Sequence, residues 1–114
     1  MIRAAAALAL LAASASAQEH GGSADGPVGE MMAAMDAMMR TMEATELTGQ
    51  TDADFLLLLI AHHEAAVAMA RAEAERGEIA PVRDFARRVV AAQEAEIEEM
   101  RQMLVAVLRA NPVE

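Results

Sequence analysis

The sequence predicts an all-α protein, a small helical bundle with three helices in its mature part and a central antiparallel helical hairpin. Three observations predict it. The composition is rich in Ala, Met and Glu, with two Phe and no Trp or Tyr, so helix-favouring residues far outweigh the β-branched and aromatic residues that favour strands. Apolar residues beyond position 50 recur at alternating steps of four and three, the period of a helix seam. Breakers stand between these runs, at Gly49, from Gly77 to Pro81, and at Asn111-Pro112. A chain of 114 residues fits one domain.

Residues 1–17 read as a signal peptide rather than as part of the fold. Arg3 supplies a short positive region, Ala4 to Ala13 an uncharged apolar run, and Ala15-Ser16-Ala17 a small-x-small cleavage site. The run is too short to span a bilayer. The expected location is therefore periplasmic or secreted. Removing Arg3 alone moves the net charge from −9 to −10. An acidic chain without a basic patch is a poor nucleic-acid binder, so no nucleic-acid partner is expected. No later segment reads as a membrane span, so no stable membrane insertion is expected after cleavage.

Residues 18–29 read as a flexible linker, because Gly21, Gly22, Ser23, Gly26 and Pro27 crowd together there. Residues 30–110 then form the helical-bundle domain. A first helix is expected from about Val28 to Leu47. A second begins at Thr51, whose hydroxyl and Asp54 suggest a capping box, and ends near Arg76, with Gly77 free to turn left-handed. Pro81 suits the first turn of a third helix, and Asn111-Pro112 ends it. The short link from Gly77 to Ala80 makes these two helices antiparallel neighbours.

The seam of the second helix reads Phe55, Leu59, His62, Ala66, Met69. The facing stripe of the third reads Val82, Phe85, Val89, Gln93 or Glu96, Met100, Met103 and Val107. With equal rise on both helices, facing residues have numbers summing to about 159. His62 then lies opposite Ile97, flanked by Gln93, Glu96 and Met100. The adjacent rings of His62 and His63 project about 100° apart, which suggests His62 facing the third helix and His63 the first.

These groups suggest a metal. The chain has no Cys and ten Met, so any soft ligand must be a thioether. Met31, Met32, Met35, Met38, Met39 and Met42 keep to one broad stripe of the first helix, although such a stripe is also ordinary core material. Thioethers suit Cu(I), and imidazole accepts either copper oxidation state. A separate site lies at the new N-terminus. Cleavage after Ala17 would leave Gln18-Glu19-His20, whose amine, backbone amides and imidazole can form a square plane around Cu(II).

Other chemistries lack their residues. There is no Glu-x-x-His for a di-iron bundle, no His-Glu-x-x-His zinc motif, and no Cys-x-x-Cys-His for haem. The serines, Ser14, Ser16 and Ser23, all fall in the signal or linker. The sequence reads as non-enzymatic, although a His62–Glu96 acid–base pair is conceivable.

The stretch Ile60-Ala61-His62-His63-Glu64-Ala65-Ala66-Val67-Ala68-Met69-Ala70, with Leu47-Thr48-Gly49 before it and Ala92-Gln93-Glu94-Ala95-Glu96-Ile97-Glu98-Glu99-Met100 after it, resembles the ferritin-like "domain of unknown function 305" family. That resemblance implies a helical bundle, export, and copper binding as in the family's periplasmic copper-binding members. By matching position it points to His62, His63, Met69 and Met100. It implies no reaction. The family usually has Met where this chain has Leu59.

The full candidate ligand set is His62, His63, Met69, Met100, Glu96, Met35, Met38, Met42 and His20, with copper as the cofactor. The expected partners are the metal ion and, through the Met face, other copies of the chain in a homo-oligomer. The alternative is a metal-free helical interaction module whose Met-rich face docks a partner or self-associates.

Overall fold

The computed structural model describes residues 25–112. The signal peptide, most of the linker and His20 lie outside them. Three helices follow one another: α1 (Pro27–Ala44), α2 (Thr51–Arg76) and α3 (Ala80–Ala110), with no strand among the described residues. The fold is the expected all-α small bundle.

α1 begins at Pro27, whose missing N–H costs nothing in a first turn. It stops three residues before the expected Leu47. The Thr45 hydroxyl donates to the Thr41 carbonyl and the Thr45 N–H bonds back to Met42, which closes the helix in a tight last turn. Beyond it, Asp54 organises the connection. Its carboxylate accepts the N–H groups of Thr48 and Gly49 and the Thr48 hydroxyl, at 2.7–3.0 Å. Thr51 is therefore not a cap but the first helical residue, and Asp54 reaches back to the loop instead. Gly49 takes the left-handed conformation at φ +81°.

Gly77 does not. Its φ of −64° is open to any residue. A Cβ there would lie 2.7 Å from the Glu73 carbonyl oxygen, so glycine is required for close approach rather than handedness. α3 starts at Ala80 with Pro81 in its first turn, as expected.

The hairpin of α2 and α3 has the expected register. Gln50 donates to the Asn111 carbonyl, His63 meets Glu96, Glu64 meets Arg101, and Arg71 meets Glu94. Leu59, Met100 and Val107 of the expected stripes are in the core, but much of the seam is rotated by one residue. The core is Leu56, Val67, Ile97 and Met100, with Leu59, Ile60, Val90, Leu104 and Val107 packed against it. Phe55 and Phe85, expected in the seam, are 60% and 58% exposed.

The reason is that α2 has two neighbours. α1 packs on it along Ala61, Ala65 and Ala68, and α1 makes no close backbone approach to α3. At 100° per residue those alanines lie nearly opposite Leu56, His63 and Val67. α2 is thus the middle member of a layer one helix thick, apolar on two opposing sides. This explains a further difference from expectation. α2 is long and apolar enough, by length and composition alone, to cross a membrane, with a mean hydropathy of 1.4 over its best stretch. A helix flanked by two others needs the same composition.

The two broad faces of the layer differ. One carries the Glu64–Arg101 and Arg71–Glu94 pairs. The other carries an almost wholly apolar groove of about 400 Å³ lined by Met31, Met69, Val82, Phe85 and Val89 among others.

Candidate functional site

The best-defined polar contact on the apolar face is His63 with Glu96. The histidine Nε2 stands 2.7 Å from a Glu96 carboxylate oxygen, and its Nδ1 stands 3.1 Å from the Leu59 carbonyl oxygen, one turn back. Its side chain is 13% exposed, that of Glu96 54%. The sequence expectation fails for both histidines. His63, not His62, faces α3, because the seam is rotated by one residue. His62 is exposed, its ring centroid 6.0 Å from that of His63 and tilted 58° to it.

Both partners can only accept, so the two contacts do not select a tautomer. Nδ1 donates to the Leu59 carbonyl when it carries the hydrogen, Nε2 donates to Glu96 when it does, and both are hydrogen bonds at once only in the doubly protonated ring.

Met100 lies one turn along α3 from Glu96 and is buried in the core with Leu56, Val67 and Ile97. Met69 is not brought to the same place. It lies six residues from His63, a rise of about 9 Å, on the wall of the groove with Met31. Gln93 stands between these points, and its Oε1 is buried without a hydrogen-bond partner.

α1 reaches the site from the other side. Glu30 pairs with Arg76, and Ala34, Met38 and Thr41 line the same small cavity as Ala61, Ala65 and Ala68. That antiparallel register puts Met42 level with His62 and Met35 level with Met69. Ala37 and Thr41 line the side shared with Glu64. The helical period then turns Met35 and Met42 to the opposite, apolar face. Met38 and Met42 are half-buried, and Met35 is exposed.

Asp54 is held below its ordinary value, first by the backbone N–H of Thr48, with burial the next effect and opposing it, and then by the Thr48 hydroxyl and the Gly49 N–H. It belongs to the loop and is remote from the histidines along the helix.

Among the described residues, no three His, Cys, Asp or Glu side chains converge as a metal-holding group. A metal here would need thioether ligands: Met100 lies one turn from Glu96 on α3, and Met42 is level with His62.

The sequence profile described as Domain of unknown function (DUF305) matches residues 5–104. The chain belongs to the DUF305 family. No curated protein and no solved structure matches it. For this DUF305 chain the sequence brought Glu96 into the neighbourhood of the histidines but missed two features. One is the Leu59 carbonyl, which orients His63. An i−4 carbonyl is available to any helical histidine, so the pattern was present but carried no mark. The other is the exposure of Phe55 and Phe85, which depends on α1 occupying the opposite side of α2.

Proposed function

We propose that the chain is an exported copper-binding protein that buffers, stores or delivers Cu(I) or Cu(II), in the periplasm or outside the cell, through histidine and methionine ligands. One observation carries this reading: the Leu59 carbonyl, 3.1 Å from Nδ1 of His63, fixes the ring so that Nε2 stands at the Glu96 carboxylate, a contact that an ion would replace. Metal-binding histidines generally donate their other nitrogen to such an acceptor, which fixes the ring and raises its basicity. Imidazole with thioethers is a donor set that suits copper, and the absence of Cys leaves Met as the soft ligand.

In this reading His63 Nε2 is the first ligand. Met100 supplies the nearest thioether along α3. Glu96 competes for Nε2 when no metal is bound and balances positive charge when one is. His62 and Met42 form a second, more exposed donor pair.

The test is Cu(I) competition against a chelator of known affinity. The native protein is expected to hold Cu(I), and the double variant His62→Ala, His63→Ala to lose tight binding with its helicity intact. Equal affinity in the two would remove the histidines from the site.

A second reading, a metal-free interaction module, rests on the apolar groove of about 400 Å³. It predicts self-association or partner capture with no metal content in the purified protein.

A further inference from the structure

The chain lacks most of the side chains that hypohalous acids attack. It has no Cys, Trp or Tyr, and its nine basic residues are all Arg, so it has no Lys amine either. Ten Met remain, with three His. Methionine is the residue among these whose first oxidation product, the sulfoxide, enzymes return to the starting side chain.

The position of each thioether decides what oxidation does to the fold. A sulfoxide is polar and disrupts an apolar core, whereas at a surface it breaks no packing. Met100 is the core thioether, 5% exposed. Met32, Met35 and Met39 are 56%, 42% and 52% exposed. At 100° per residue these three fall within about 60° of one another, so they form one open stripe along α1. Met31, Met38 and Met42 are half-buried and lie on the flank that meets α2. α1 contributes no buried residue, so oxygen added to its open stripe leaves the α2–α3 core untouched. Packing within the chain does not account for Met at these three positions. Ala, Glu or Arg would form the helix as well and meet water at less cost.

We propose that α1 is a renewable oxidant sink, in which Met32, Met35 and Met39 take up the oxygen of hypohalous acid while the protein stays folded. The sulfur lone pair displaces hydroxide from chlorine, and water then replaces chloride on sulfur. Thioether and hypochlorous acid thus give sulfoxide, chloride and a proton, with sulfur losing the two electrons that chlorine gains. In the return step a dithiol supplies two electrons, and the products are thioether, water and a disulfide. An open stripe on a surface helix lets a reductase reach each sulfoxide without unfolding the chain. No metal takes part, so the inference goes beyond the copper reading and does not depend on it.

The experiment is titration of the exported protein, freed of metal, with hypochlorous acid, read by peptide mass spectrometry. Sulfoxide should form at Met32, Met35 and Met39 at least about tenfold faster than at Met100. Exposed Met103 on α3 should react with the fast group. With the stripe fully oxidised, helicity and the urea midpoint should be unchanged. The two methionine sulfoxide reductases, one for each epimer, should then restore the original mass with a dithiol as reductant. The triple variant Met32→Leu, Met35→Leu, Met39→Leu is nearly volume-conserving. It should stay folded and lose the fast uptake apart from that at Met103. Recovered from cells briefly exposed to sublethal hypochlorite, the native protein should carry more sulfoxide on the stripe than at Met100 and lose it after the oxidant is removed. A stripe as slow as Met100 would overturn the proposal, because it would mean that another molecule covers it. Loss of helicity as the stripe oxidises would overturn it too. So would sulfoxides that the reductases leave in place, or a stripe no more oxidised in cells than Met100.

Discussion

The two sides of α2 are built from different materials. Toward α3 it presents Leu56, Ile60 and Val67, which interlock with Val90, Ile97, Met100 and Leu104. Toward α1 it presents Ala61, Ala65 and Ala68, and α1 contributes no buried residue at all. Burial of branched side chains stabilises in proportion to apolar area removed from water, about 1.5–3 kcal/mol for each full side chain. An alanine stripe offers a fraction of that area. The hairpin is therefore the stable unit and α1 a plate resting on it. This division would suit the proposed copper site, because methionines on a loosely held helix can move toward an ion while His63 stays fixed on the rigid side.

The largest expected effect breaks the rigid side. Ile97→Ala removes a buried branched side chain and should cost about 2–5 kcal/mol, read by urea denaturation followed by circular dichroism. The same deletion at exposed Val105 should cost far less. If the two were equal, the hairpin core would lie elsewhere.

Overfilling the other side comes next. Ala65→Leu forces bulk against α1 and should cost about 1–3 kcal/mol. Hydrogen exchange should then rise across α1 while α2 and α3 stay protected. Uniform loss of protection would mean that α1 is as integral as α3.

The loop joining α1 to α2 is the third place to probe. The Thr48 and Gly49 contacts depress Asp54 in the folded state. Its stabilising effect is complete above the ordinary carboxylate range and disappears as pH falls through the depressed folded value. Asp54→Ala should lower the melting temperature at neutral pH and make it less sensitive to acid. An unchanged acid profile would separate Asp54 from the loop's stability.

Much of this was legible in the sequence. The helix count and the hairpin register follow from breakers and period, which are local signals. The bounds of α2 do too. The rotation of the seam was not legible. Phe55, Leu59, His62, Ala66, Met69 and Leu56, Ile60, His63, Val67, Ala70 are both acceptable heptad stripes on one helix. The choice between them depends on where a third element packs, and α1 takes the alanines. With that rotation His63 turned to α3 and His62 to the open face. The end of α1 was hidden for a similar reason, since Asp54 captures Thr48 and Gly49 from six and five residues away. The pairing of Glu96 with the histidines was legible as a neighbourhood, though not as to which ring it meets.

The smallest expected effect on stability sharpens the contrast at the site itself. Leu59→Met is nearly volume-conserving and should cost less than about 1.5 kcal/mol. It places a thioether one turn from His63 and should tighten Cu(I) binding, measured by chelator competition. No gain would mean that residue 59 does not face the metal.

The most direct test of copper ligation at His63 is nitrogen-15 NMR of its imidazole during Cu(I) titration, since Cu(I) is diamagnetic. Ligation as proposed predicts a large shift of Nε2, with Nδ1 keeping its proton and its bond to the Leu59 carbonyl. A spectrum in which Nδ1 loses its proton to the metal, or in which neither nitrogen moves, would contradict it.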